Sequence, residues 1–174
     1  MYKKRVKKSE IQSKFFPKIK QSIFDSLIQD MFDKNVIKKQ DEYISLTFFK
    51  IDYDDNYLKI ESSIIKLAQE AKYNFVKIEE IKSKFIKNSN IDDIIALLID
   101  DNKLIKLNDE FVISKKDYDE ALNLLISFIK TNDKITAGEF RDLLDTNRKN
   151  AIIFLEYFDI LKVTKRIGND RVLF

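Results

Sequence analysis

The sequence predicts a mainly α protein with short β-hairpins, an α+β chain assembled from tandem copies of one small helix-and-ribbon unit. Two observations carry this expectation. DKNVIKKQDEYI at 33–44 and DNKLIKLNDEFV at 101–112 align without a gap, sharing an Asp, an aliphatic-Ile-Lys core, an amide, and Asp-Glu followed by an aromatic and an aliphatic. Each reads as a helix end, a short strand, a tight turn and a return strand. The chain also holds only two glycines and one proline in 174 residues. That scarcity favours helices joined by short connections and leaves no Gly-rich loop to cradle a phosphate.

Taken in order, a short helix near 9–16 and a longer one near 19–33 precede the first ribbon, the latter with Ile23, Leu27, Ile28, Met31 and Phe32 in one stripe. Two further helical stretches follow, 59–73 (Ile60, Ile64, Leu67, Ala68, Ala71) and 78–87. A third carries Ile91, Ile94, Ile95, Leu98 and Ile99 into the second ribbon. The plan then recurs with 117–131 (Tyr118, Leu122, Leu125, Ile126, Ile129), 137–144, and a stripe of Ala151, Phe154, Leu155, Phe158 and Leu161. VTKRIGNDRVLF closes the chain as a ribbon turning near Gly168-Asn169. Three helices followed by a ribbon is the tandem winged-helix arrangement, a helix-turn-helix variant with a hairpin wing; a plain helical array needs no strands. The expected domains are 1–50, a partial winged helix lacking its first helix, then 51–115 and 116–174, both complete.

The composition, 44% hydrophobic and 35% charged, is that of a globular protein. Without cysteine there is no disulfide or thiolate chemistry, and without histidine the commonest general base and metal ligand are missing. No catalytic residue, metal or cofactor is expected. No apolar run approaches the roughly 20 residues that span a bilayer, and MYKKRVKKSE lacks the apolar stretch of a signal peptide. A cytoplasmic, monomeric chain with no membrane partner is expected. Residues 1–20 hold eight Lys/Arg against one acidic residue, 21–133 sixteen against twenty-two, and 134–174 eight against six. A polyanion would therefore meet the ends of the chain.

The last unit carries the most informative charges. Its third helix opens with Arg148 and Lys149 behind an N-cap at Thr146 or Asn147. Cations there oppose the helix dipole by about 0.3–1 kcal/mol, and an anion reverses that sign. The first two wings turn on Asp41-Glu42 and Asp109-Glu110, whereas the third turns on Gly168-Asn169-Asp170 between Arg166 and Arg171. Acidic turns repel phosphate, so only the third wing is a good nucleic-acid contact. Beyond Asn150 the helix offers Ile153, Glu156, Tyr157 and Asp159, poor readers of a major groove. Contact concentrated at a helix start and a wing suits an RNA hairpin better than a long duplex.

Other stretches carry less. DYDDNYLKIESS at 52–63 has Tyr57 and Ser63 where a calcium loop needs Gly and Glu, and reads as a linker. Asp92-Asp93 complements a helix dipole. The basic run Lys3-Lys4-Arg5 with Lys7-Lys8 is a second patch, read as a solvated end.

Residues 140–174, FRDLLDTNRKNAIIFLEYFDILKVTKRIGNDRVLF, resemble the last winged-helix domain of the bacterial selenocysteine-specific elongation factor. That family's pattern is close to F-R-D-x-L-x-T-S-R-K-[YH]-x-x-P-x-L-E-[YF]-x-D-x-x-x-x-T-x-R-x-G-[DN]-x-R. Phe140, Arg141, Asp142, Thr146, Arg148, Lys149, Leu155, Glu156, Asp159, Thr164, Arg166, Gly168 and Arg171 fall in place. Over 9–133 the resemblance rests on architecture. It implies a non-catalytic module that binds the selenocysteine insertion hairpin of an mRNA and tethers the factor for UGA recoding, with the ribosome as a second candidate partner. Arg141, Asn147, Arg148, Lys149 and Asn150 would make the helix-side RNA contacts, and Arg166, Asn169 and Arg171 the wing contacts. Asn147, Asn150 and Ile153 depart from the usual Ser, Tyr or His, and Pro, so Asn150 lacks a ring to stack on a base. No G-x-x-x-x-G-K-[ST] is present, and the GTPase part of such a factor is expected to lie outside this sequence. Two further classes stay open: a DNA-binding winged-helix protein and a protein-interaction scaffold.

Overall fold

The computed structural model describes residues 5–48, 53–87 and 90–174. β1 (Val6–Lys7) leads into α1 (Lys8–Phe15), α2 (Gln21–Asp33) and a hairpin of β2 (Ile37–Gln40) and β3 (Tyr43–Leu46). A second copy runs through α3 (Asp55–Ala71), a 3-10 turn at Lys72–Asn74, β4 (Val76–Lys77), α4 (Ile78–Lys84), α5 (Ile91–Asp100), β5 (Leu104–Lys106) and β6 (Phe111–Ser114). The third holds α6 (Lys115–Asn132), β7 (Ile135–Thr136), α7 (Ala137–Leu144), α8 (Arg148–Ile160), β8 (Thr164–Ile167) and β9 (Asp170–Leu173). The chain is an α+β tandem of winged helices. It parts at Asp54–Asp55 into two compact units, the first copy in one and the other two copies together in the second.

Among the described residues each copy has a three-stranded antiparallel sheet, ordered β1-β3-β2, β4-β6-β5 and β7-β9-β8. The two-residue strands β1, β4 and β7 add an edge to each wing. Val6 pairs with Ile44, Val76 with Val112, and Ile135 with Arg171. Such strands are too short to show a period of two, so the sequence reads them as loop.

Local chemistry fixes the helix starts of the last copy. Ser114 caps α6 by accepting from the Asp117 amide. Thr136 and Glu139 form a reciprocal capping box at α7, with Thr136 N donating to Glu139 Oε2 at 2.7 Å. Asn147, not Thr146, caps α8; its Oδ1 accepts from Asn150 N at 2.9 Å. At the wing tip Gly168 sits at φ 62°, a conformation that costs other residues a Cβ clash.

The second and third copies share one core. Phe75, Leu107, Phe111 and Ile113 of the second join Tyr118, Leu125, Phe140, Phe154 and Phe158 of the third, all buried. Phe154 is the hinge of this cluster. Its ring meets Phe75 edge-on at 4.9 Å between centroids and stacks on Phe158 at 5.7 Å.

Two expectations need correction. Of the stretch 52–63, expected as a linker, Asp52 lies outside the described residues, and from Asp55 it is α3, with Tyr57 fully buried, because Tyr57, Ile60 and Ile64 continue one helical stripe toward the core. In the first copy Ile23, Leu27 and Phe32 are exposed, and Phe24 and Ile28 join Ile37 and Ile44 in the core instead. The reason is architectural. In the later copies α3 packs on β6 and α6 on β9. No described helix covers the equivalent face of β3, which opens onto an apolar groove of about 360 Å³ lined by Phe24, Leu27, Ile28 and Leu46 among others. Of the basic run near the start, Lys3 and Lys4 lie outside the described residues.

Truncating Phe154 to Ala removes a ring packed against both copies and should destabilise the unit by about 3–5 kcal/mol. Urea unfolding monitored by circular dichroism would show it as a lower midpoint. Burial also pushes the phenols of Tyr73 and Tyr118 up to about 12. Ionising a buried phenol opposes the fold, so this stability is full below about pH 10 and declines as pH rises toward about 12. A pH series of thermal melts should show this loss in that alkaline window.

Candidate nucleic-acid interface

The wing of the third copy folds beside α8 and the start of α7, and the three enclose a cleft of about 390 Å³. Its lining brings together Arg148 from α8, Arg166 and Asn169 from the wing, and Arg171 from β9, with Thr136, Ala137, Gly138, Ile152 and Glu156 completing it. Arg148 and Arg166 are exposed, and Arg166 is braced by its Nε donating to the Gly168 carbonyl at 2.8 Å. The first turn of α8 holds no acidic residue, so its dipole is uncompensated beside two cations. Beside the turn, the wing is tied to the segment before β7 by an ion pair between Lys134 and Asp170 at 2.6 Å, which raises the Lys134 pKa.

Four of the eight expected contact residues therefore line one cleft, and the other four do not. Arg141 is paired with Asp142 at 2.6 Å on the last turn of α7. Asn147 spends its side-chain oxygen on the helix cap. Lys149 sets its ammonium over the Phe111 ring, 5.4 Å from the centroid, toward the second copy. Asn150 is 5% exposed, and its Nδ2 donates to the Tyr73 carbonyl at 3.1 Å, a bond that Thr146 Oγ1 also makes at 2.9 Å. Asn150 thus belongs to the joint between two winged helices, not to an open surface.

Arg171 also differs from expectation. It is 5% exposed, not a projecting wing residue; its Nε donates to Asp159 Oδ2 at 3.3 Å, while Thr164 Oγ1 donates to Asp159 Oδ1 at 2.6 Å. It forms the floor of the cleft, where Arg148 and Arg166 form the rim. Sequence reasoning missed Thr136, Gly138 and Glu156 as lining residues. The T-x-x-E spacing of Thr136 and Glu139 did signal a helix start there, but not which surface that start faces. Glu156 puts one negative charge in an otherwise cationic cleft. Among the described residues no cluster of acidic side chains is arranged to hold a metal ion, and no helix is long and apolar enough to cross a membrane.

Residues 127–173 match the family model described as "Elongation factor SelB, winged helix". Over these residues the last copy is similar to the winged helix of that family. A selenocysteine-specific elongation factor from Desulfomicrobium baculatum is 38% identical over 82 residues, which are 47% of this chain and 13% of that protein. The chain thus spans a small part of that SelB relative. The fold is shared with the mRNA-binding domain of E. coli SelB, solved in complex with SECIS RNA, at a TM-score of 0.58 and 20% identity over 70% of this chain and 98% of that one. A bacterial selenocysteine-specific elongation factor, EF-Sec, gives the same TM-score and identity over 98% of this chain and 26% of its own.

Asn150→Ala should remove one of the two donors to the Tyr73 carbonyl and lower stability by about 0.5–1.5 kcal/mol. Read by thermal melting, that loss marks a joint residue; an unchanged melting temperature would return Asn150 to the surface.

Proposed function

We propose that the third copy binds an RNA hairpin, the selenocysteine insertion element of an mRNA, and so tethers a selenocysteine-specific elongation factor for UGA recoding. The observation that carries this reading is the cleft that joins Arg148, Arg166, Asn169 and Arg171 in the copy that matches the SelB winged helix. The SECIS complex of the E. coli relative supports the choice of partner. Physically, the exposed arginines neutralise phosphates where an RNA backbone turns, and displaced counterions supply much of the binding. A cleft between helix and wing admits a bent or unpaired nucleotide but not a straight duplex wall. The first two wings keep acidic turns, with Asp109 paired to Lys106 at 2.7 Å, and serve as an arm.

Titration of the chain with a synthetic RNA stem-loop, and with the same stem as a DNA duplex, tests the proposal. Tighter binding to the stem-loop is expected, weakening as salt rises with a log-log slope of about −0.7 to −0.9 per phosphate neutralised. Equal affinity for the duplex would sink the RNA reading, and no binding to either would favour a protein scaffold. Arg148→Ala and Arg166→Ala should each weaken stem-loop binding by about tenfold, while Lys38→Ala and Lys106→Ala leave it unchanged.

A further inference from the structure

The three copies can be superposed residue by residue through the left-handed residue that ends each third helix: Asn35 (φ 59°), Asn102 (φ 54°) and Lys162 (φ 56°). Three positions before it stand Phe32, Ile99 and Asp159; two positions after it stand Ile37, Leu104 and Thr164. The strand partners give the third position, since Ile44, Val112 and Arg171 face the equivalent edge residues Val6, Val76 and Ile135. Two copies thus carry apolar side chains at these positions, Phe32, Ile37 and Ile44 or Ile99, Leu104 and Val112, with Phe32 partly exposed and the β-strand residues buried. The third carries Asp159, Thr164 and Arg171 at this corner.

An apolar corner is the solution the fold uses elsewhere in the same chain, and a buried ion pair is rarely more stable than well-packed aliphatics. Stability therefore does not explain the exchange. The geometry supplies another reason. Thr164 is 1% exposed and Arg171 5%. Thr164 fixes one oxygen of Asp159, and the other receives Arg171 Nε. Among the described residues Asp159 is the only side-chain partner of Arg171, so the two terminal guanidinium nitrogens are not engaged by protein. They belong to a residue that lines the cleft between Arg148 and Arg166.

We infer that Asp159 and Thr164 are positioning residues, which hold Arg171 as a preoriented donor at the floor of the cleft for acceptor atoms of a nucleotide that enters it. This rests on the proposed RNA binding. Held by Nε, the guanidinium keeps a paired edge of N–H donors free, and its rotamer freedom is removed before the ligand arrives. Arg148 and Arg166 draw the backbone in from the rim, and Arg171 reads what reaches the bottom.

The test transplants the second copy's corner into the third. The Asp159→Ile/Thr164→Leu/Arg171→Val chain should melt at or above the parent temperature but bind the RNA stem-loop at least about tenfold more weakly, the loss expected for one charge-assisted contact. Thr164→Val alone should weaken binding by about threefold with little change in melting, and Thr164→Ser should restore it, because only the hydroxyl orients Asp159. Should the triple variant fail to fold, the Thr164 pair decides the matter by the same readout. Stem-loop affinity within about twofold of the parent in either the triple variant or Thr164→Val overturns the inference. Arg148→Ala on the same stem-loop separates the two readings. If the parent binds and Arg148→Ala weakens it while the corner variants do not, the positioning role fails and RNA binding stands. If the parent itself does not bind, both fall.

Discussion

The aromatic cluster around Phe154 is the constraint on which the rest of the second unit depends. A winged helix of about sixty residues has little apolar surface to bury by itself, and small domains of this size are marginal. The second and third copies avoid that limit by closing over a common set of rings, Phe75 and Phe111 from one side and Phe140, Phe154 and Phe158 from the other. The polar joint at the start of α8 follows from this packing. Once the rings bring the copies together, the Tyr73 carbonyl is removed from water and must be satisfied, and Thr146 and Asn150 do so.

Sharing a core also divides the labour of α8. Its inward face, with Ala151, Phe154 and Leu155, belongs to packing; its first turn is split, Asn150 and Lys149 turning to the neighbouring copy and Arg148 to the cleft. A run of residues that looks like one patch in the sequence is two surfaces in space, since successive residues point about 100° apart around a helix.

The sequence carried the helices, the three hairpins and the cleft's rim because these leave periodic or compositional marks. The stripe of Ala151, Phe154, Leu155 and Phe158 is read directly from a 3.6-residue period, and the charge of Arg148 and Arg166 from contrast with the acidic turns of the other copies. Asn150 was not legible: periodicity says which side of α8 is buried but not that Tyr73 lies against it, 77 positions away. Arg171 was misread for a subtler reason. A charged residue near a turn suggests exposure, yet β9 alternates, and Arg171 shares its face with Leu173. Aligning the third ribbon on the other two would have set Arg171 against Ile44 and Val112. The open face of the first copy was likewise hidden, because a stripe on α2 records amphipathicity and not what covers it.

The common core has a mechanical meaning as well. Two beads on a flexible string would let the cleft wander, and each capture would then freeze that motion. Welded through Phe75 and Phe154, the second and third copies would move as a single stiff lever. A pull applied at the wing would be passed to α3 without slack, so strain on a captured strand would be felt about a hundred residues away in the chain rather than absorbed at a hinge.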